Sequence, residues 1–213
     1  MDRFLAASRL RSRAVIAYRS ALELHGHGCA TARANEVQLI ARGEPGLVEM
    51  AQFACRFVSP PSHHSPSEGV TSIHRQGLAI NVTTLERTVV DLFDRYDLAG
   101  GAEELFRSLD LVVDRGQGVH IDAAIDFEAV VNFEALVGFA RRLDNAAAAG
   151  ALGYWLEHER HRLRVTDAAL EDLRSLAPRH ARYALGATPG HGRSAGKWNV
   201  ILPAVIIERY LDD

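Results

Sequence analysis

Thr83-Thr84-Leu85-Glu86-Arg87-Thr88-Val89-Val90-Asp91-Leu92 is the stretch on which the reading of the fold turns. A hydroxyl side chain with Glu three residues later marks a helix start. Thr83 caps free backbone N–H groups, and Glu86 reaches back to the N–H of the capping residue. Leu85, Val89, Leu92, Phe93 and Tyr96 then recur at helical spacing and make one side of the helix apolar. Gly100-Gly101 breaks that helix, and residues 102–111 supply another.

Upstream the period changes. Residues 70–74 and 78–82 are short, branched runs joined by Arg75-Gln76-Gly77, as in a pair of strands. Residues 36–42 and 53–58 are two more strand candidates. The second ends in Ser59-Pro60-Pro61-Ser62-His63-His64-Ser65-Pro66, a run that no strand ladder could hold. Residues 2–25 read as one or two helices, with Val15, Ile16, Tyr18, Leu22 and Leu24 at partly helical spacing and His25-Gly26 as the stop.

Downstream, residues 112–125 lack helical period and are the expected boundary between lobes. Beyond them the chain reads as mostly helical. Asn132 is placed to cap residues 133–143, Asp144 or Asn145 an Ala-rich run into Trp155, and Thr166 residues 168–176. Residues 186–196 hold four Gly and read as a loop, residues 198–202 as a strand, and Pro203 as the first turn of a last helix. The expected fold is mixed α+β. An α/β lobe spans 1–115 and a mainly helical lobe, closed by a short strand and helix, spans 116–213; the two form separate lobes or one bilobal domain.

Composition narrows the function. The 213 residues are 47% hydrophobic and 24% charged, an ordinary soluble composition. No run approaches the ~18–20 apolar residues that span a bilayer. The opening residues carry Asp2, Arg3 and Arg9 and do not read as a secretory signal. With only Cys29 and Cys55, the expectation is reduced cysteines in a cytoplasmic protein. Charge is uneven: residues 1–22 hold five Arg and one Asp, while residues 81–134 hold twelve acids and four Arg, a local −8. Such asymmetry steers a charged partner, and it also describes ordinary solvated helix faces.

Enzyme motifs fail on spacing. Gly190-His191-Gly192-Arg193-Ser194-Ala195-Gly196-Lys197 has five residues between its outer glycines where a phosphate loop needs four, and Trp198 replaces the hydroxyl that would bind Mg²⁺. Gly192-Arg193-Ser194-Ala195-Gly196 has the letters of a nucleophile elbow but precedes a strand instead of a helix. His158 and His161 are three apart where a zinc protease needs four, and they read as solvated. His25-Gly26-His27 and His63-His64 have no acid or Cys cluster to complete a metal site. No catalytic residue, metal or cofactor is expected.

Four segments resemble the AbiEi family of antitoxins from type IV toxin–antitoxin systems. They are Ala17-Tyr18-Arg19-Ser20-Ala21-Leu22-Glu23-Leu24-His25-Gly26; residues 82–92 with Ala99-Gly100-Gly101-Ala102-Glu103-Glu104; Leu152-Gly153-Tyr154-Trp155-Leu156-Glu157; and Trp198-Asn199-Val200-Ile201-Leu202-Pro203. The motif residues are Ser20, His25, Gly26, Glu86, Arg87, Asp91, Gly101, Gly153 and Trp198. They also have plain structural uses. Glu86 caps, Arg87 and Asp91 form an i,i+4 pair worth a few tenths of a kcal/mol if exposed, the glycines satisfy backbone geometry, and Ser20 and His25 are buried and hydrogen-bonded.

The resemblance implies an antitoxin that counters a nucleotidyltransferase toxin encoded beside it, in abortive infection or phage defence, without a stable complex being required. Family members also repress their own operon through an N-terminal winged helix. Sixteen residues before Ala17 are too few for one, so DNA binding by these residues is not expected. A DNA-binding autorepressor and an enzyme that modifies the toxin are the alternatives. Opposite charge to a nucleotide-handling toxin makes Glu103, Glu104 and Asp110 the expected partner-binding residues.

Overall fold

The computed structural model describes residues 2–27, 35–60, 67–116 and 131–211. After α1 (Arg3–Ser8), β1 (Val15–Ile16) and α2 (Tyr18–Leu24) come three strands, β2 (Glu36–Ile40), β3 (Gly46–Glu49) and β4 (Ala54–Val58). The hairpin β5 (Val70–Arg75) and β6 (Leu78–Thr83) leads into α3 (Leu85–Asp94), α4 (Tyr96–Ala99) and α5 (Ala102–Gly116). Then follow α6 (Phe133–Leu143), α7 (Ala146–His158), α8 (Arg160–Leu163) and α9 (Asp167–Leu176). Strands β7 (Arg182–Tyr183), β8 (Gly192–Ser194) and β9 (Val200–Pro203), with α10 (Ala204–Glu208), complete a mixed α+β fold.

The six-stranded sheet has the order β3-β4-β2-β1-β6-β5. Strand β1 pairs antiparallel with β2 (Val15 opposite Ile40) and parallel with β6 (Ile16 opposite Val82). Alternation along β2 separates two cores. Val37 and Leu39 join Phe4, Ala7, Phe57 and Val82 under α1, while Ile40 joins the large helical core. That larger cluster runs from Ala17 through Leu105, Leu152 and Trp198 to Ile207, so the apolar core is not divided at residues 115 and 116. Among the described residues no helix is long and apolar enough to cross a membrane.

The structure corrects several local expectations. Val15 and Ile16 form a strand, because the backbone here bonds to the sheet: Ala17 N–H continues the ladder onto the Gln38 carbonyl at 3.1 Å. The cap of α3 is Thr84, whose Oγ1 accepts from Arg87 N–H at 3.4 Å, and not Thr83. Thr83 is still in the β5–β6 ladder opposite Val70, with its hydroxyl buried against that of Thr88 at 2.6 Å. Glu86 does not close a capping box; its carboxylate accepts from Asn132 N–H at 2.9 Å and ties α3 to the start of α6. Helix α5 continues past residue 111 because Val112 and Val113 extend the stripe of Leu105, Phe106 and Leu109 into the core. Residues 117–125 of the expected boundary lie outside the described residues, as do Cys29, His63 and His64.

Strand β3 was not anticipated from the exposed sequence Gly46-Leu47-Val48-Glu49, which is held at the edge by pairing with β4. The expected loop 186–196 contains β8, Trp198 sits in a 3₁₀ turn (Gly196–Trp198), and Pro203 ends β9 at the cap position of α10. The caps by Asn132, Asn145 and Thr166 are as expected. So is the tight hairpin, with Gln76 and Gly77 both at positive φ, 50° and 78°.

Gly153 shows how closely α7 meets Trp198: a Cβ there would lie 2.1 Å from the indole Cζ3. Gly153→Ala is therefore expected to destabilise by about 2 kcal/mol or more through overpacking. At Gly138, on α6, a Cβ would meet only Arg142 Nη1 at 3.7 Å. Gly138→Ala is expected to be neutral or to stabilise by up to about 1 kcal/mol, since Ala loses less freedom in a helix. Urea denaturation of both variants checks the contrast.

Candidate functional site

The motif residues gather into two places. In the first, α2 lies over the sheet. Its start at Tyr18 takes φ +56°, a left-handed conformation that bulky side chains rarely adopt. That twist lets Arg19 N–H donate to Gln38 Oε1 at 3.1 Å while Ser20 Oγ accepts from Gln38 N–H at 2.9 Å. Gln38 is fully buried, and its amide also donates to the Leu98 carbonyl at 2.8 Å, joining β2 to α4. At the other end of α2, His25 Nε2 donates to the Thr83 carbonyl at 2.7 Å, and Gly26 takes φ 85° as the helix ends. His27 is buried, with Nδ1 3.1 Å from the Leu111 carbonyl. The His25-Gly26-His27 run therefore anchors α2 to β6 and α5.

Arg87 and Asp91 are not the exposed pair that an i,i+4 spacing suggests. Their side chains are 0% and 1% exposed, with Arg87 Nε 3.3 Å from Asp91 Oδ2. Arg87 Nη1 also donates to the Glu68 carbonyl. Two buried atoms, Arg87 Nη2 and Asp91 Oδ1, have no hydrogen-bond partner among the described residues. Burial pushes the Asp91 carboxyl up to about 6, against the opposing pull of Arg87.

The second place joins the two later segments. Trp198, 1% exposed, lies in the groove left by Gly150 and Gly153, and its Nε1–H donates to Glu157 Oε2 at 2.8 Å. Burial acts upward on Glu157, but the bonds from Lys197 and Trp198 hold its carboxyl below the usual range. Gly101, at φ 113°, precedes α5 with nothing near its missing Cβ, so its role is backbone conformation alone.

The expected acidic face is largely neutralised. Arg107 pairs with Glu104 and lies 3.9 Å from Glu103, and Asp110 is held by Arg209. Asp97 pairs with Arg95 and Asp114 with Arg162, while Asp94 accepts from Asn145 at 2.7 Å. Glu103 is exposed, whereas Glu104 is half-buried and, like Asp110, taken up by an arginine. His158 and His161 are both exposed, as expected, but the residue that follows His158 is not. Glu159 is buried, accepting from Arg162 Nη1 at 3.1 Å and Tyr210 Oη at 3.3 Å, while the His158 ring lies 4.5 Å from that of Tyr210. The sequence reading missed Gln38, Tyr18 and Glu159. Gln38 alone carried a signal, a polar residue inside an otherwise apolar strand. No family model and no curated protein matches this chain.

Asp91 gives a pH test. Its pKa is higher folded than unfolded, so the folded state holds the proton more tightly, and this contribution to stability falls as pH rises from about 4 to about 6. Asp91→Asn cannot ionise and loses nothing over that window. Relative to the native protein, the variant is expected to gain stability between pH 4.5 and pH 7, although its absolute stability is lower because Arg87 stays buried without a counter-charge. Chemical denaturation of both proteins at the two pH values checks the sign; a variant that falls further behind as pH rises contradicts it.

Proposed function

We propose that this chain is a binding protein that neutralises a nucleotidyltransferase toxin, in the manner of the AbiEi antitoxins it resembles. One observation carries the reading: the four family-like segments meet in pairs across long stretches of sequence. His25 of the first bonds the Thr83 carbonyl of the second at 2.7 Å, and Gly153 and Glu157 of the third receive Trp198 of the fourth. Residues scattered over the chain thus act as two structural joints, which supports reading the segments as one signature. Ser20, Arg87, Asp91 and Trp198 are buried, which assigns them to the scaffold and leaves the neutralising surface to exposed residues. The edge of α5 at Glu103, which is exposed, and Glu104, which is half-buried against Arg107, is the surface favoured here, since an exposed carboxylate matches the cationic groove of an enzyme that handles nucleotides.

Co-expression with a nucleotidyltransferase toxin, which this reading expects to be encoded beside the gene, is the test. The native chain is expected to restore growth when the toxin is induced, and a soluble chain that gives no rescue contradicts the antitoxin reading. Glu103→Gln with Glu104→Gln is expected to weaken rescue while leaving the melting temperature unchanged, because exposed substitutions usually shift stability by under about 0.5 kcal/mol. Asp110 is left in place because its bond to Arg209 ties α5 to the residues after α10. Full rescue by the double variant removes this edge from the neutralising surface without touching the antitoxin reading.

A further inference from the structure

At one end of the large sheet, where the parallel strands β2 and β4 both finish, lies a cavity of about 910 Å³. Its wall carries Arg11, Arg13 and Arg42 and, among the described residues, no carboxylate. A groove beside α6 and α9 instead mixes Arg141 and Arg142 with Glu68, Glu134 and Asp172. Elsewhere most arginines are matched, as Arg56 with Glu36 and Arg162 with Asp114 and Glu159. Arg13 and Arg42 have no acidic partner among the described residues.

The three cations are differently held. Arg11 is fixed: its guanidinium lies 3.9 Å from the Phe57 ring centroid, and Nη1 donates to the Glu44 carbonyl at 2.9 Å. Arg13 is exposed and held at φ +57°, a conformation disfavoured for any residue with a Cβ. Arg42 is exposed and follows the end of β2. Three positive charges around one hollow repel one another and raise the local concentration of anions. Planar guanidinium groups match phosphate oxygens in pairs. Ser12 and Asn81 add a hydroxyl and an amide to the wall, while Val15, Ile40 and Val70 supply an apolar floor. The volume falls in the range of about 300–1,000 Å³ typical of small-molecule sites and far exceeds the needs of a single phosphate.

We infer that this cavity is a binding site for a nucleoside phosphate, with the phosphates between Arg13 and Arg42 and the base against the apolar floor. The site stands on the sheet end alone and does not depend on the antitoxin reading.

Isothermal titration of the full chain at low salt tests it with four probes: ATP, pyrophosphate, adenosine and a random-sequence DNA duplex. One saturable ATP site is expected, with pyrophosphate weaker and adenosine not bound. Arg13→Gly, which suits the positive φ, combined with Arg42→Gln is expected to weaken ATP binding about tenfold or more, given the strength of charged hydrogen bonds. Arg179→Gln, remote and exposed, is expected to leave it unchanged. Should the double variant fail to fold, Arg42→Gln alone reads the same site. Absence of ATP binding, or ATP binding unchanged in the arginine variants, overturns the proposal. Pyrophosphate binding as tightly as ATP overturns the nucleoside part. Duplex DNA bound more tightly than ATP, and lost in the same variants, reassigns the arginines to a nucleic-acid backbone.

Discussion

A guanidinium cannot shed its charge in a protein, so burying Arg87 obliges the surrounding structure to supply acceptors for it. The fold does so from two directions, through Asp91 one helical turn along α3 and through the Glu68 carbonyl ahead of β5. The second acceptor is in reach only because the chain passes very close at Gly69, where φ is +59° and a Cβ would lie 2.5 Å from Phe139. Thr84 N–H adds a bond to the Gly69 carbonyl at 2.8 Å. The hairpin and α3 are thus joined by one cation, with Phe139 of α6 packed beside Gly69. A buried pair of this kind adds little net stability, because desolvation offsets the attraction, and its two unpartnered atoms add to the cost. What it supplies is position: removing either partner leaves a charge or carboxyl stranded in the core.

The electrostatics of the surface follow from a different economy. Residues 81–134 look strongly acidic as a string, but their partners arrive from elsewhere in the chain: Arg162 from α8, Arg209 from beyond α10, Asn145 from the cap of α7. Among the described residues, Glu86, Asp94, Asp110 and Asp114 join α3 and α5 to later elements, while Asp91, Asp97, Glu103 and Glu104 lie against arginines of the same segment. The opening segment shows the reverse. Arg3 pairs with Glu23 and Arg19 is buried, whereas Arg11 and Arg13 reach the sheet end with, among the described residues, no carboxylate in that cavity.

Local chemistry made much of the fold legible in the sequence. Caps at Asn132, Asn145 and Thr166, the β5–β6 hairpin and the stripe of α3 are decided by residues a few positions apart. The failures share a cause, which is competition from distant partners. Val15-Ile16 is helical by spacing but gives its backbone to β2 and β6, and Thr83 would cap α3 were it not already in the ladder with Val70. Edge strand β3 carries no buried face to betray it. For the candidate sites the limit was sharper. Spacing shows that Arg87 and Asp91 can meet but not that both are buried, and it cannot bring Arg42 beside Arg11 and Arg13.

The two-residue strand β1 has a mechanical consequence. It stands between a plate made of β3, β4 and β2 and a plate made of β6 and β5, with one registered pair on the β6 side and two on the β2 side. Few ladder bonds cross this waist, so the plates are tied more firmly within themselves than to each other, and a waist of this kind is where a sheet flexes or opens first. The arginine-lined hollow straddles it, taking Ile40 from one plate, Val15 from the waist and Val70 and Asn81 from the other. Anything seated there would act as a staple across the weakest line of the sheet, stiffening the platform on which α2 and α3 rest.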